Sequence, residues 1–221
     1  KAYEDIRKVD VARIQNAARN AMEWFEVVGD RYADQLEPEQ FMYSMLTRSQ
    51  RISHENLRLR DKTWLEEFER WFARRAGLDV SDAGKPPPPM FTPYTIKGLT
   101  LPNRVVVSPM AMYSSKDGIA GDFHMVHLGA RAMGGAGLVF PEMTCTSADA
   151  RITPGCLGLW NDAQADSLRR IVDFVHGETP AKIGIQIGHA GRKGSTKLAW
   201  DGIDQPLTAG GWPLISASAL P

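Results

Sequence analysis

The spacing of hydrophobic residues predicts that the chain begins as a helical segment. Before residue 78, apolar side chains recur every three or four positions, with charged and amide side chains between them. This spacing places one apolar stripe along a helix, and Gly29 is the expected end of the first helix. The stripe of that helix consists of Ile14, Ala18, Ala21, Phe25 and Val28.

Two further helices are predicted in the same segment. The first covers Pro38–Leu46, with proline in the first turn, where a missing N–H costs nothing. The second begins after Asp61 as N-cap, and we interpret its apolar stripe as helix packing rather than as a cofactor site. The stripe consists of Trp64, Leu65, Phe68, Trp71 and Phe72. No helix is assigned to the polar stretch between them, whose arginines form either a solvated face or a contact for an anionic ligand tail.

Residues 78–89 are predicted to be a linker. Four consecutive prolines, Pro86–Pro89, follow a Ser-Asp-Ala-Gly run. Such a run favours extended polyproline II and acts as a semi-rigid spacer. The sequence therefore divides into a helical segment, 1–77, the linker, 78–89, and a second domain, 90–221.

From Met90 onward, strand patterns alternate with helix patterns. A hairpin with its turn at Lys97-Gly98 comes first, and the β-branched run Val105–Val107 then predicts a short, fully buried parallel strand. The expected elements are strands at Arg104–Met110, Gly137–Thr144 and Ala181–Ile187, helices at His124–Met133 and Ala163–His176, and an extended loop over 194–221. This alternation predicts an α/β fold with parallel crossovers. The fold is then either a doubly wound sheet or a (β/α)₈ TIM barrel. The hairpin ahead of the first strand suits the floor of a barrel, and no Gly-x-Gly-x-x-Gly follows a strand, which argues against a dinucleotide-binding Rossmann unit. We expect an incomplete TIM barrel with about three of its eight strands.

Composition narrows the classes of partner. The 26 acidic and 26 basic side chains balance, so nucleic acid and membrane surfaces are not expected partners. No apolar run approaches the roughly 20 residues of a membrane span. The two cysteines, Cys145 and Cys156, are expected to be buried or idle thiols of a cytoplasmic protein. The chain starts at Lys1 and ends in a loop-like run, which predicts that it is an excerpt of a longer protein. A homo-oligomer is a possible assembly of that protein.

Polar and small residues mark the predicted strand ends, where a barrel builds its site. These segments are Ser108–Tyr113, Glu142–Thr144 and Gln186–Lys193. A flavin suits this mixture, because an amide such as Gln186 can both donate to and accept from its pyrimidine edge. Two alternatives stay open for His189 and Arg192, which either line the site or order their loop.

A metal site is not expected. His124-x-x-His127 supplies two imidazoles at a helix start, but the sequence offers no third ligand beside them.

The second domain resembles the old yellow enzyme family of FMN oxidoreductases. The resemblance covers nearly all of 90–221 and rests on several motifs in the same order. They are Pro102–Arg104, Ser108–Met110, Asp122–His124 with His127, Arg131–Leu138, Arg151–Gly155, Gly158–Trp160, Gly184–Gln186 and His189–Lys193.

This resemblance implies roles for individual residues. The backbones of Ser108, Pro109, Met110 and Ala111 would line FMN, Gln186 would bind its pyrimidine edge, Met143 would sit beside it, and Tyr113 would face the substrate. Ala111 stands where the family often carries Thr or Cys, and Met143 where a small residue is common, which would narrow the pocket. The family's catalytic residues and FMN-phosphate loop are expected beyond Pro221, so the isolated chain is expected to be inactive.

The helical segment resembles another flavoprotein class. Tyr3–Arg19, Leu46–Arg51 and Asn56–Asp61 are similar to the C-terminal part of FAD-dependent aromatic-ring monooxygenases. The main FAD site would then lie upstream of this chain. The joined segments resemble the bifunctional salicylyl-CoA 5-hydroxylase/oxidoreductase and 2-aminobenzoyl-CoA monooxygenase/reductase group.

That resemblance implies an enzyme that hydroxylates an aromatic CoA thioester, using FAD, FMN, O₂ and NADPH or NADH. One alternative is a simple NADPH-dependent ene-reductase or dienoyl-CoA reductase with a helical arm. Another is a non-catalytic remnant.

Overall fold

The computed structural model describes residues 1–218, so the last three residues of the predicted final loop lie outside the described residues. The chain divides into two compact units, Lys1–Pro89 and Met90–Pro221. The first unit is helical, with α1 at Ala2–Arg31, α2 at Pro38–Thr47, α3 at His54–Arg60 and α4 at Lys62–Arg75.

Helix α1 corrects the prediction that Gly29 ends it. The helix continues to Arg31, and the N–H of Tyr32 donates to the carbonyl of Val28. A single glycine in a helix costs only about 1 kcal/mol, and Gly29 does not adopt the left-handed conformation of a C-terminal cap.

Helix α3 was missed by the sequence prediction. It begins with a reciprocal cap in which Ser53 Oγ accepts from the N–H of Asn56 and Asn56 Oδ1 accepts from the N–H of Ser53. This capping box uses Asn in place of the usual Glu or Gln. Leu57 then anchors the helix in the core, where it is 4% exposed.

The predicted stripe on α4 forms the core of the first unit. Leu65 is fully buried, and the Phe68 ring stacks on that of Tyr43 with 4.5 Å between ring centroids. The neighbours that complete this core are Leu46, Leu57, Ile52, Trp64, Trp71 and Phe72. The interpretation of the aromatic stripe as helix packing is confirmed.

Asp61 caps α4 as predicted, because its Oδ1 accepts from the N–H of Trp64 at 3.0 Å. Changing Asp61→Ala is expected to lower the free energy of unfolding of this unit by about 1 kcal/mol. The measurement is urea denaturation followed by circular dichroism. Asp61→Asn keeps the accepting oxygen and is the matched control, so equal stabilities of the two variants would contradict the capping role.

The second unit opens with a hairpin of β1, Tyr94–Ile96, and β2, Leu99–Leu101, which pair antiparallel. Its turn residues, Lys97 and Gly98, both have positive φ, 45° and 85°. A two-residue turn of this kind matches the twist of the flanking strands. The predicted hairpin and turn are confirmed.

A parallel sheet follows in the order β3-β4-β6. Its strands are β3 at Val106–Val107, β4 at Leu138–Val139 and β6 at Lys182–Ile183. Two more short strands, β5 at Thr144–Cys145 and β7 at Ile187–Gly188, pair in parallel beyond them. Helices α5, Asp122–Met133, and α6, Asp162–Glu178, connect the strands in the predicted order. Their apolar faces enclose a core that includes Leu128, Val139, Leu157, Ile171 and Val175.

The predicted strands were too long. The first keeps only β3, while the second and third are each split, into β4 and β5 and into β6 and β7. Pro141 interrupts the second because it has no N–H for a ladder bond. The ring of Phe140 covers Gly184, where an added Cβ would lie 2.4 Å from it.

Val106 corrects the expectation of a fully buried strand, since it is 45% exposed. Successive strand residues point to opposite faces of a sheet. Val105 and Val107 pack against the core that α5 and α6 enclose. Val106 therefore lies on the opposite face of the sheet.

Residues after 194 are more ordered than the predicted extended loop. Helix α7 covers Ala199–Gly202, and Thr196 forms an antiparallel bridge with Pro206. Trp212 fixes the end of this segment, because its indole N–H donates to the carbonyl of Asp149 at 3.1 Å. None of the helices in residues 1–218 combines the length and apolarity needed to cross a bilayer.

Candidate functional site

The sequence-predicted site residues follow or precede short strands at one end of the parallel sheet. Ser108–Ala111 directly follow β3, Met143 precedes β5 and Gln186 precedes β7. Backbone hydrogen bonds connect these segments side by side. The N–H of Phe140 donates to the carbonyl of Val107 at 3.1 Å, and the N–H of Thr144 donates to the carbonyl of Gln186 at 2.7 Å.

Most of these residues are accessible at the strand ends. Ser108, Met110 and Ala111 are exposed, and Pro109 is half-buried. Gln186 is exposed as well, and its side-chain amide makes no hydrogen bond with the described residues. The carboxyl end of the sheet therefore presents small and flexible apolar groups together with one amide whose donors and acceptor are available to a ligand.

Met143 lies differently. Its side chain is half-buried against Gly188, where an added Cβ would be 2.6 Å from the Met143 sulfur. It packs on a small buried cluster formed by Cys145, Ala150 and Cys156. Tyr113 packs against the same cluster. Met143 and Tyr113 therefore pack against the same buried cluster, although they come from different strand ends.

A buried carboxylate holds the loop that follows Ser108–Ala111. Glu142 is 2% exposed. Its Oε2 accepts from the N–H of Met112 at 3.2 Å and from the N–H of Tyr113 at 3.4 Å. Because this carboxylate binds two successive backbone amides, it fixes the direction of the chain at Met112 and Tyr113. The candidate flavin contacts, Ser108–Ala111, lie directly before these two residues.

His124 supplies the third donor to this carboxylate. The imidazole is fully buried, and its Nδ1 accepts from the N–H of Gly121 at 3.2 Å. Its hydrogen is therefore on Nε2, which donates to Glu142 Oε1 at 3.0 Å. Ser115 Oγ lies 3.3 Å from the same nitrogen. Dipoles of the backbone and of a neutral imidazole thus compensate the buried charge.

Sequence reasoning missed this Glu142–His124 pair. The two residues are 18 positions apart, on a strand end and in the first turn of α5. The available signal was an acid within an otherwise apolar strand, because buried acids require partners. His124 uses both ring nitrogens inside the protein, and the described residues contain no group of three side chains suited to a metal ion.

Gly155 supports the same loop from the other side. Its carbonyl accepts from the N–H of Ser115 at 3.0 Å. An added Cβ on Gly155 would lie 2.2 Å from the carbonyl oxygen of Tyr113. Tyr113 itself has φ of 50°, which is uncommon for a residue with a side chain. The loop from Met112 to Ser115 is therefore held in a strained shape by Glu142 and Gly155.

Burial raises the pKa of the Tyr113 phenol, with smaller contributions from the negative charges of Cys156, Asp204 and Glu142. The phenol consequently stays protonated and can donate a hydrogen bond. That property suits the substrate contact implied for Tyr113.

The two buried cysteines interact with each other. The hydrogen bond from the Cys145 thiol lowers the pKa of Cys156, assisted by the N–H of Thr153. The same bond and burial raise the pKa of Cys145. Both side chains are at most 1% exposed, so the expectation of buried thiols is confirmed.

We expect the ultraviolet absorbance of a thiolate to appear in the folded protein at a lower pH than for an ordinary cysteine. Cys156→Ser should remove this step, and Cys145→Ala should move it to higher pH because the donated hydrogen bond is lost. The measurement is the pH-dependent difference spectrum between the wild type and each variant. An unchanged step in Cys156→Ser would refute the assignment.

His189 makes a local contact in its loop. Its Nδ1 accepts from the N–H of Gly191 at 2.9 Å, and the side chain is exposed. Arg192 and Lys193 line a cavity of about 470 Å³ together with residues such as Asp204 and Trp212.

The chain is similar in sequence to known flavin-dependent oxidoreductases. Residues 89–208 match the family described as NADH:flavin oxidoreductase / NADH oxidase. An NADH:flavin oxidoreductase of Gibberella zeae is 43% identical over 149 residues, which are 66% of this chain and 35% of that protein. An NADPH dehydrogenase of Listeria monocytogenes is 53% identical over 106 residues, 47% of this chain and 31% of that protein.

Among solved structures, the old yellow enzyme from Trypanosoma cruzi matches with a TM-score of 0.48 and 27% identity, over 60% of this chain and 35% of that one. The chain spans about a third of the length of the curated relatives it matches.

Proposed function

Since the chain belongs to the NADH:flavin oxidoreductase / NADH oxidase family, we propose that residues 90–221 are the first part of an FMN-binding oxidoreductase barrel. NADPH or NADH is the proposed reductant. The similarity to an NADH:flavin oxidoreductase and to NADPH dehydrogenases supports this proposal.

The observation that carries the proposal is the accessible amide of Gln186 at the same sheet end as Ser108–Ala111. The pyrimidine edge of a flavin alternates donors and acceptors, and an amide offers both. The exposed Met110 and Ala111 suit contact with a flat ring, and Glu142 and Gly155 hold the loop beyond them. These residues therefore fit FMN, which when bound would supply the hydride chemistry.

The chain's own residues would bind and orient the flavin. Ser108, Pro109, Met110 and Ala111 would present backbone groups to it, and Gln186 would fix its pyrimidine edge. Met143 packs against Gly188 and would bound the flavin pocket on that side. Ala111 carries no hydrogen-bonding side chain, so the flavin would receive no side-chain hydrogen bond from that position.

Gln186→Ala tests the proposed contact. We expect the FMN dissociation constant to rise about tenfold, because one or two hydrogen bonds of roughly 1 kcal/mol each are lost. The measurement is fluorescence titration of the full-length apoprotein with FMN. Gln205→Ala, which changes an exposed glutamine away from the strand ends, is the control. Equal FMN affinity of Gln186→Ala and wild type would contradict the role of Gln186.

For the complete protein we propose a bifunctional flavoprotein. Residues 1–77 would be the C-terminal part of an FAD monooxygenase that hydroxylates an aromatic CoA thioester, joined by the linker to the FMN barrel. The support is the sequence resemblance of Tyr3–Arg19, Leu46–Arg51 and Asn56–Asp61 to such monooxygenases. In the full-length protein, O₂ uptake should depend on an aromatic CoA ester and on reduced nicotinamide.

A simple NADPH-dependent ene-reductase or dienoyl-CoA reductase is the second candidate. It is favoured by the NADPH dehydrogenases among the relatives. This candidate predicts anaerobic reduction of an activated carbon–carbon double bond by NADPH, with no O₂ uptake stimulated by aromatic CoA esters. A full-length protein without any flavin would instead indicate the non-catalytic remnant.

A further inference from the structure

A basic cavity lies within the first unit. It has a volume of about 450 Å³ and is bounded by α3, α4 and the segment after α4. Its lining consists of Arg58, Lys62, Glu66, Arg70, Gly84 and Lys85.

The chain builds this cavity by folding the segment after α4 back along the helix. Arg70 donates from its guanidinium to the carbonyl of Gly84 at 2.9 Å, and Arg74 donates to the carbonyl of Val80 at 3.2 Å. These two bonds place Lys85 at the rim of the cavity. Two hydrogen bonds from α4 therefore hold this wall of the cavity in place.

Positive charge exceeds negative charge in the cavity. Arg58 is already neutralised, because its guanidinium donates to the buried carboxylate of Glu69 at 2.6 Å. Lys62 and Arg70 share the single carboxylate of Glu66 at the long distances of 3.7 and 3.9 Å. Lys85 has no carboxylate partner in the described part of the chain. Three cations against one carboxylate leave a surplus of two positive charges.

Arg70 also has an unpaired donor. Its side chain is 17% exposed, and its Nε is buried without a hydrogen-bond partner among residues 1–218. A buried donor on a charged group is costly when it lacks an acceptor. An anionic ligand that drew the Arg70 side chain toward it would satisfy this N–H and offset the surplus charge at the same time.

We propose that this cavity binds the phosphate monoester group of a small molecule. A phosphate monoester carries close to two negative charges at neutral pH and so matches the surplus. Its oxygens suit the fork of an arginine together with the point charges of lysines. The chain as a whole has no net charge, which disfavours a nucleic acid as the ligand. Only residues before Pro89 are involved, so this proposal stands apart from the proposed flavin site.

The structure also shows what one arginine of the polar stretch before α4 contacts. Arg58 serves a buried ion pair with Glu69, and this contact raises the pKa of its guanidinium. The contact for an anionic group is assigned instead to Arg70, Lys62 and Lys85.

Isothermal titration of the full-length protein at low ionic strength tests the proposal. The probes are inorganic phosphate, adenosine 2′-phosphate, which carries the monoester of NADPH, and adenosine 3′-phosphate, which carries that of coenzyme A. Arg70→Gln should weaken binding about tenfold, as expected for one charge-assisted hydrogen bond. Lys85→Gln and Lys62→Gln should each weaken it about threefold, because these lysines are more exposed.

Arg19→Gln and Lys8→Gln remove exposed charges of the first unit outside the cavity and should bind as the wild type does. Tighter binding of one nucleotide than of inorganic phosphate would support a phosphorylated cofactor or substrate, and equal binding would support free phosphate. Absence of binding for all three probes at about 10 mM would overturn the proposal. So would wild-type affinity in Lys85→Gln and Lys62→Gln, which decide the matter if Arg70→Gln does not fold.

Discussion

Glu142→Gln is expected to lower the free energy of unfolding of the second unit by about 3 kcal/mol. The carboxylate of Glu142 accepts from the N–H groups of Met112 and Tyr113 and from His124. A glutamine has only one accepting oxygen, so its NH₂ group must face either the two backbone donors or the imidazole. Either orientation leaves at least one buried donor unpaired.

The same change is expected to weaken FMN binding at least tenfold, because Met112 directly follows the candidate flavin segment Ser108–Ala111. Both effects are measurable in the full-length protein, by urea denaturation and by FMN titration. Glu178→Gln, at the exposed end of α6, is the matched control and should change neither quantity. Stability and FMN affinity of Glu142→Gln equal to those of the control would contradict a supporting role for the carboxylate.

Gly155→Ala should have a similarly large effect through sterics alone. The new methyl group would lie 2.2 Å from the carbonyl oxygen of Tyr113 and 2.9 Å from the Leu198 side chain. Leu198 can move, but the backbone of Tyr113 is fixed by Glu142. We therefore expect a loss of about 3 kcal/mol of stability, comparable to severe overpacking, and displacement of Tyr113.

The effect of Gly155→Ala on stability can be measured by thermal unfolding. The displacement of Tyr113 can be followed by the fluorescence of bound FMN, which the proposed site would hold near Tyr113. Gly177→Ala is the matched control. Gly177 lies in α6 with no atom within 4 Å of an added Cβ, so alanine there should leave stability unchanged or raise it by up to about 1 kcal/mol. Gly155→Ala as stable as Gly177→Ala would show that the close approach to Tyr113 is relaxed in the protein.

Local patterns predicted the elements whose determinants lie close together in sequence. The Lys97-Gly98 turn, the Asp61 cap and the apolar stripe of α4 each depend on residues within one or two turns of one another. The order of strands and helices in the second unit also follows from such patterns, which is why the α/β architecture could be expected.

Features that depend on distant partners could not be predicted in the same way. The Phe140 ring lies over Gly184, 44 positions later in the chain, and no local pattern reveals this contact between the second and third predicted strands. The pairing of Glu142 with His124 joins two elements, and spacing along the chain does not reveal it. The roles of Ser108–Ala111, Met143, Gln186 and Tyr113 toward a flavin and its substrate stay predictions.

The central claim is that the second unit belongs to a barrel that binds FMN and is reduced by a nicotinamide. Its most direct test is anaerobic titration of the full-length protein, reconstituted with FMN, with NADPH and with NADH while the visible flavin absorption is followed. We expect tightly bound FMN whose absorption bleaches on addition of one of the two nucleotides. A full-length protein that retains no FMN after gel filtration, or whose bound FMN is reduced by neither nucleotide, would contradict the claim.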